Sequence, residues 1–533
     1  MMTVALAALP LGWLICRFGP FFPVEKAIAS YAFDRLYSHG WEVLGAMNLE
    51  IERESPVPIY LQIKSQVKGQ ILSGELLDGS PMPSERMLAE QLAIHRNTVT
   101  RAYGELKAEG LLRSSQGKGY QVSIRSHKNT IAALRPVNWG ALTQNSYADT
   151  ESSFVLQFAK SFDDGIISFA GGIAAREPYP PDETARIIEK ILRTNREKAY
   201  FFASIQGDED LRRNLVKFVS RKGIKADSSN IQVFSDNNQA LHFILSMFLH
   251  PGDSVIVDEL SSPDVPRSVE LAGGHVVRVP SDDEGMVCAT MASIIEEEAP
   301  AFIYVEAGYS NPTGTALSTA RKKELLDLSY RYGIPIIEAD ETSELFLDGA
   351  PLPTIKSMDT GDNVIYLHSF ALSMIPGIGV SFVVANQGMI NNLCNMTMLH
   401  IVNSDWAAQM VTVEHLASGK LYERLAEFRA IYREKRDLMC ARLDELAERY
   451  SLRYVKPGGG VYIWVELPQR ASAKPLLAKA RRHGVTFMTG ESFFEEPSRG
   501  RSHIRLNYSY PSLDEIDRGM DALGLALGEA LGR

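Results

Sequence analysis

Cysteine is scarce in this chain: 533 residues hold four, Cys16, Cys288, Cys394 and Cys440, with no CxxC pair and no histidine at ligand spacing. That scatter argues against a disulfide framework and a zinc site, and fits a reducing, cytoplasmic compartment. A positive excess is also missing, since 55 Lys and Arg face 65 Asp and Glu for a formal charge of −10. A uniformly basic nucleic-acid coat is excluded, but a small DNA-binding module is not, because net charge averages over domains. A membrane span is lacking at the front, where the apolar stretch covers residues 1–16, short of the ~20 residues needed to cross a bilayer. No Lys or Arg precedes it, so the basic start of a secretory signal is absent too. Residues 1–46 therefore read as a non-native or disordered extension, with Met47 as the natural start. What remains is an ordinary globular composition, 45% hydrophobic and 23% charged, long enough for more than one domain.

From Pro56 a pattern begins. PIYLQIKSQVKGQILSG carries Ile59, Leu61, Ile63, Val67, Ile71 and Leu72 mainly at helical spacing and ends at Gly74. PSERMLAEQLAIHRNTVTRAYGELKAEGLL predicts two more helices. Ser84 caps the first, Asn97 or its neighbour caps the second, and Gly110 stops it. LLRSSQGKGYQVS alternates as a hairpin with Gly117, Lys118 and Gly119 at its tip. Three helices and a glycine-tipped hairpin make a winged helix-turn-helix, predicted over residues 47–124. Arg96, Asn97, Thr98, Thr100 and Arg101 fall at the start of the helix that would enter a major groove, where Arg grips guanine and Asn pairs with adenine. Arg86 and Lys118 are placed to hold phosphates of double-stranded DNA. The alternative is a helical protein-docking module with solvated arginines. The string, with its PSER, RNTV-RAY-L-EG and G-G elements, resembles the GntR family of bacterial regulators.

Residues 125–166 are polar with little period and read as a linker, ending in a short arm or helix near residues 154–162. Strands and helices then alternate: IQVFSDNNQALHFILSMFL, DSVIVDELSSP, AFIYVEAGYSNPTG, IPIIEAD and VIYLHSF. Such alternation predicts an open, mostly parallel sheet with its loops at the strand carboxyl ends, over residues 167–424. A smaller α+β unit follows over residues 425–533. The landmarks SIQGDEDLRRNL, PGDSVIVDE, YSNPTGTALS, PIIEAD, VIYLHSF, IPGIGVSFV and HIRLNYS resemble, in order, the fold-type I aminotransferases. Behind the GntR-like front, they resemble the MocR subgroup of regulators.

That resemblance implies pyridoxal phosphate, yet most of the implied contacts are replaced. A "SFSK" loop supplies the Schiff-base lysine in such proteins; here SFAL puts Leu372 there, so no amine is available. "EDDY" becomes EADE, with Ala339 and Glu341 at the ring positions and Asp340 retained. "PGLR" becomes PGIG, so Gly379 replaces the phosphate-binding arginine. "PTY" becomes LSS, leaving Ser262 without a stacking ring. The phosphate turn becomes Asp236-Asn237-Asn238, and Phe202 stands for a tyrosine that reaches the phosphate from a partner subunit. Asn311 and Arg505 survive, though Asn311 is also explained as a turn former and Arg505 as the partner of a neighbouring acid. Ser369, at the strand's end, completes the predicted pocket. Glu338, Asp340 and Glu344 read as solvated or structural carboxylates. Like charges at ~4 Å cost about 4 kcal/mol at an effective dielectric of 20, so a phosphate beside Asp236 is disfavoured.

The expected protein is a cytoplasmic, homodimeric, DNA-binding regulator whose aminotransferase-like domain senses a small amine or amino acid without catalysis, binds no cofactor and contacts no membrane. Two rivals stand beside it: a pyridoxal phosphate-dependent aminotransferase with a DNA-binding appendage, which would need another lysine such as Lys356, and a purely structural dimerisation domain.

Overall fold

The computed structural model describes residue 49 and residues 51–123 and 165–532, except 54, 56, 74, 116–118, 176, 180, 196, 202, 203 and 402–404. The expected extension, the linker through residue 164 with its arm, Gly117, Lys118 and Phe202 lie outside the described residues. The chain divides into two compact units, residues 1–144 and 145–533.

In the first unit, helix α1 (Ile59–Ser73), α2 (Glu85–Gln91) and α3 (Arg96–Ala108) precede a hairpin of β1 (Leu112–Ser115) and β2 (Gly119–Val122). Ile63, Val67 and Ile71 bury one face of α1 against Leu88 and Ala89 of α2 and Val99, Ala102, Tyr103 and Leu106 of α3. Ser84 caps α2, its side chain accepting from the Met87 N–H. The cap of α3 is His95 rather than Asn97: the imidazole Nδ1 accepts from the Asn97 N–H at 3.2 Å, doing the work of a Ser or Asp oxygen. Gly110 ends that helix at φ +74°, a conformation that side chains disfavour. Register runs from Leu112 opposite Val122 to Ser115 opposite Gly119. This is the winged helix-turn-helix that the sequence predicts.

The second unit opens with β3 (Ile167–Ser168). Its main sheet is built from β4 (Ile231–Phe234), β5 (Ser254–Asp258) and β6 (His275–Val279), and, after a small hairpin of β7 (Ser281–Asp282) and β8 (Gly285–Met286), from β9 (Phe302–Glu306), β10 (Ile336–Asp340), β11 (Val364–Ser369) and β12 (Ser381–Val384). The spatial order is β4-β12-β11-β10-β9-β5-β6. β12 runs antiparallel to both its neighbours and the other pairings are parallel. Both faces are covered, so the strands read as apolar runs. Alternation sends Val255, Val257, Tyr304, Ala339 and Leu367 to one core and Ile256, Ile303, Val305, Ile336 and Val364 to another.

The C-terminal part adds a four-stranded sheet, ordered β13 (Arg453–Tyr454), β14 (Tyr462–Glu466), β17 (His503–Asn507) and β16 (Met488–Thr489). Two features cross the expected boundaries. The helix Lys420–Tyr450 runs through residue 424 without a break. β3 pairs in parallel with β15 (Val485–Thr486), so the chain meets the C-terminal part before it enters the large sheet.

Candidate functional site

A cavity of about 430 Å³ opens where β9, β10 and β11 end, the place where an open α/β sheet gathers its loops. Ala339 and Leu367 reach it because strand alternation turns them to that face, while Glu338, Asp340 and Tyr366 turn to the other. Of the predicted pocket residues, Asp236, Asn237, Ser262, Asn311, Ala339, Glu341, Ser369, Leu372 and Arg505 line it. Gly379 does not. It follows the turn Pro376–Ile378, and with no side chain it offers nothing that could reach the wall.

Leu372 is 3% exposed and packs into the hydrophobic core, where Tyr432 donates its hydroxyl to the Leu372 carbonyl at 3.3 Å. Ser369 Oγ accepts from the Ala371 N–H at 3.1 Å and holds the loop. Asp236, expected as a ligand-facing carboxylate, is also the N-cap of the helix Asn237–Phe248, accepting from the Gln239 N–H at 2.8 Å. Asn237 donates to Glu341 Oε1 at 2.6 Å, and Ser262 to Asp264 Oδ2 at 3.4 Å.

Arg505 is fully buried on β17. Its guanidinium donates to Asn311 Oδ1 at 2.7 Å and to the Ala170 carbonyl at 2.6 Å, and lies 4.3 Å from the centre of the Tyr462 ring. These two acceptors are an amide and a carbonyl, where the sequence suggested an acid. Backbone hydrogen bonds close a turn around Asn311: the Ser310 N–H donates to the Thr315 carbonyl and the Gly314 N–H to the Ser310 carbonyl.

Residues not picked out in the sequence dominate the electrostatics. Glu306, the last residue of β9, lines the cavity and also a second one of about 330 Å³ beside Trp464 and His503. Its Oε2 accepts from the Asn311 N–H at 2.8 Å. Burial, reinforced by the carboxylates of Glu341, Asp258 and Asp264, pushes the Glu306 carboxyl up to about 8. Burial raises Glu341 and Asp264 as well. The sole clue to Glu306 was an acid closing the apolar run FIYVE five residues before Asn311. Tyr304, Tyr309 and Tyr462 supply aromatic wall.

Behind the sheet, Glu338 and Asp340 are buried and bonded rather than solvated. Glu338 accepts from the Ile355 and Lys356 N–H groups at 2.7 and 2.8 Å. Asp340 accepts from Tyr366 and Ser343, both at 2.6 Å, and pairs with Lys222 at 3.3 Å. Burial alone would raise Asp340, but the Lys222 ammonium, with His368 and Ser343, holds it well below the usual range. Lys356 pairs with Asp359 at 3.0 Å and does not line the cavity.

In the first unit the predicted DNA-contacting side chains gather at the start of α3. Arg96, Asn97, Thr100 and Arg101 are exposed and Thr98 is half-buried. Arg96 pairs with Glu85 at 3.0 Å, and Arg101 stacks over the Tyr60 ring at 3.7 Å. Arg86, exposed on α2, pairs with Glu90. Gly119 turns the chain back into β2 at φ +70°.

Residues 178–523 match the family described as aminotransferase class I and II, and residues 59–122 the bacterial regulatory proteins of the gntR family. Among similar proteins, the HTH-type transcriptional regulator YisV of Bacillus subtilis is 29% identical, over 88% of this chain and 96% of its own. The probable rhizopine catabolism regulatory protein MocR of Rhizobium meliloti is 23% identical, over 85% and 91%. The crystal structure of LysN, an α-aminoadipate aminotransferase of Thermus thermophilus, superimposes with a TM-score of 0.68 at 28% identity, covering 74% of this chain and 99% of that one. Among the described residues no helix is long and apolar enough to cross a membrane. A gntR-type winged helix-turn-helix at the front and an aminotransferase fold behind it place the chain in the aminotransferase class I and II family, as a transcriptional regulator of the GntR/MocR type.

Proposed function

We propose that this regulator binds double-stranded DNA through the start of α3 and the wing, and that its aminotransferase-like domain dimerises and senses a small ligand without catalysis. The DNA contacts are assigned to Arg86, Arg96, Asn97, Thr98, Thr100, Arg101 and the wing tip Gly117-Lys118-Gly119. The working domains are residues 47–124, the linker 125–166, the large domain 167–424 and the small one 425–533, after an extension over 1–46. A cytoplasmic, head-to-tail homodimer suits such a protein.

The observation that carries the sensor reading is Leu372, packed against the core at the cavity wall, at the position where the resemblance implies the cofactor lysine. Among the described residues no lysine lines the cavity. Pyridoxal phosphate would meet the acidic side chains of Asp236, Asp264, Glu306 and Glu341 there, with Arg505 the one lining guanidinium among the described residues. A charge-assisted phosphate contact contributes roughly 1.5–3 kcal/mol, and Gly379 provides none. The residues do not fit the cofactor.

The competing reading, a transaminase with a DNA-binding appendage, is favoured by 29% identity to the 2-aminoadipate transaminase of Thermus thermophilus, over 74% of this chain. An amino-donor assay separates them. Full-length protein given pyridoxal phosphate, 2-aminoadipate and a 2-oxo acid is expected to form no new amino acid; turnover would overturn the proposal. Sedimentation as a monomer at micromolar concentration would remove the dimer.

A further inference from the structure

We propose that the cavity at the ends of β9, β10 and β11 takes a ligand with an alkylammonium group, held between the carboxylates of Glu306 and Glu341. This rests on the sensor reading above and names the chemistry that the sensor recognises.

The two acids are set on neighbouring strands, Glu306 paired in register with Ala339, two residues before Glu341. Each is anchored through one oxygen, Glu306 by the Asn311 N–H and Glu341 by the Asn237 amide. The second oxygen of each makes no hydrogen bond with the described residues, and both side chains line the hollow. Ala339 between them presents a methyl group, so no side chain of the floor competes for them. The walls are aromatic and suited to an alkyl chain or a cation: Tyr304, Tyr309 and Tyr462.

Other groups also face Glu306. Asp264 stands on the helix Asp264–Leu271, Asp258 ends β5, Arg505 comes from β17 and Tyr462 from β14. Across the second cavity lie His503, Arg453 and Glu466. The acids outnumber the cations around the main hollow, and Arg505 is engaged by Asn311 and Ala170. A buried carboxylate without a partner is costly, so an anionic guest is repelled and a cationic one gains. Without a guest, Glu306 keeps its proton at neutral pH, its carboxyl being pushed up to about 8 by burial. An ammonium stabilises the ionised form, so binding releases that proton. Apparent affinity then follows the ionised fraction and rises roughly 25-fold between about pH 6.5 and 8.5.

Diamines and cationic amino acids both carry this group. Titration calorimetry of the full-length protein would use 1,4-diaminobutane, lysine, the neutral isostere 1,4-butanediol and pyridoxal phosphate, in two buffers of different ionisation enthalpy. We expect one or both amines to bind with proton release and with the pH dependence above, and butanediol not to bind. Tighter binding of lysine would point to the amino acid, and tighter binding of diaminobutane to the diamine. Glu306→Gln should abolish proton release and flatten the pH profile; Glu341→Gln should weaken amines at every pH by tenfold or more. Amines that bind without proton release, or with the wild-type pH profile in Glu306→Gln, would overturn the assignment. Butanediol binding with both amines silent would defeat the alkylammonium inference while leaving a sensor. Covalent capture of pyridoxal phosphate, with both amines silent, would defeat the sensor reading as well.

Discussion

Replacing Lys222 by methionine should destabilise the second unit far more than a surface charge change would. The ammonium is 9% exposed and contacts Asp340 at 3.3 Å, Glu344 at 2.6 Å and Ser343 Oγ at 2.6 Å. At an effective dielectric of 20 the Asp340 contact alone corresponds to about 5 kcal/mol of Coulomb attraction. Relief of the lysine's own desolvation offsets part of that. Breaking a buried pair from one side costs about 3–5 kcal/mol, because the remaining charge stays buried without a counterion. Asp340 would keep the hydroxyls of Tyr366 and Ser343, the Ser343 N–H and the His368 ring at 3.8 Å, but no ammonium. Urea unfolding followed by circular dichroism at pH 7 would read the loss as a lower midpoint at unchanged slope. The double variant Lys222→Met with Asp340→Asn should recover most of it, since both charges then leave together. The pH profile should change too. In the native chain Asp340 titrates below its usual range, so its contribution is present above about pH 4 and is lost only as pH falls towards the lowered value. Without Lys222 that carboxyl should titrate higher, and stability should fall as pH rises through the new value. A single-variant loss under about 1 kcal/mol, or no recovery in the double variant, would refute this account of why Asp340 is buried.

Arg96→Ala should weaken binding to a selected operator by about 1–3 kcal/mol, measured by fluorescence anisotropy at fixed salt, with little change in melting temperature because the Arg96–Glu85 pair is largely exposed on its arginine side. Glu306→Gln should raise the thermal stability of ligand-free protein at pH 8.5 relative to pH 5.5, compared with the native chain. The raised Glu306 carboxyl holds a proton that the unfolded chain has lost, so stability declines as pH rises from the usual carboxylate range to about 8; an identical profile in both proteins would contradict this. Leu372→Lys restores an amine but neither the ring contact at Ala339 nor the phosphate contact at Gly379, and it should remain inactive in an amino-donor assay; turnover would show that one residue had held catalysis back.

Local signals made the first unit legible. Ser84, Gly110 and the apolar spacing of Ile63, Val67 and Ile71 fix three helices without reference to anything distant. The cap of α3 was misplaced because an imidazole caps only when Nδ1 is turned to accept, which depends on a rotamer and not on residue type. The sheet was legible because strands buried on both faces read as uninterrupted apolar runs. β3 was not, being two residues long and paired with a segment near the other end of the chain. In the pocket, comparison of motifs located Leu372, Ala339 and Arg505 but passed over Glu306, which has no counterpart among the motifs used. It also read Asp236 only as a charge facing the ligand, although an Asp just before an apolar helix is an ordinary cap. Gly379 shows the limit of transfer by motif: a position that matters in relatives for its side chain has none here to bring to the cavity.

The most direct measurement is an absorbance spectrum of the full-length protein mixed with pyridoxal phosphate, followed by borohydride reduction and peptide mapping. With Leu372 in place of the amine, the spectrum should be the sum of protein and free cofactor, dialysis should remove all colour, and no lysine of the second unit should be labelled in stoichiometric amount. A coloured protein that survives dialysis, with the label on one lysine in the cavity, would contradict the account at its root.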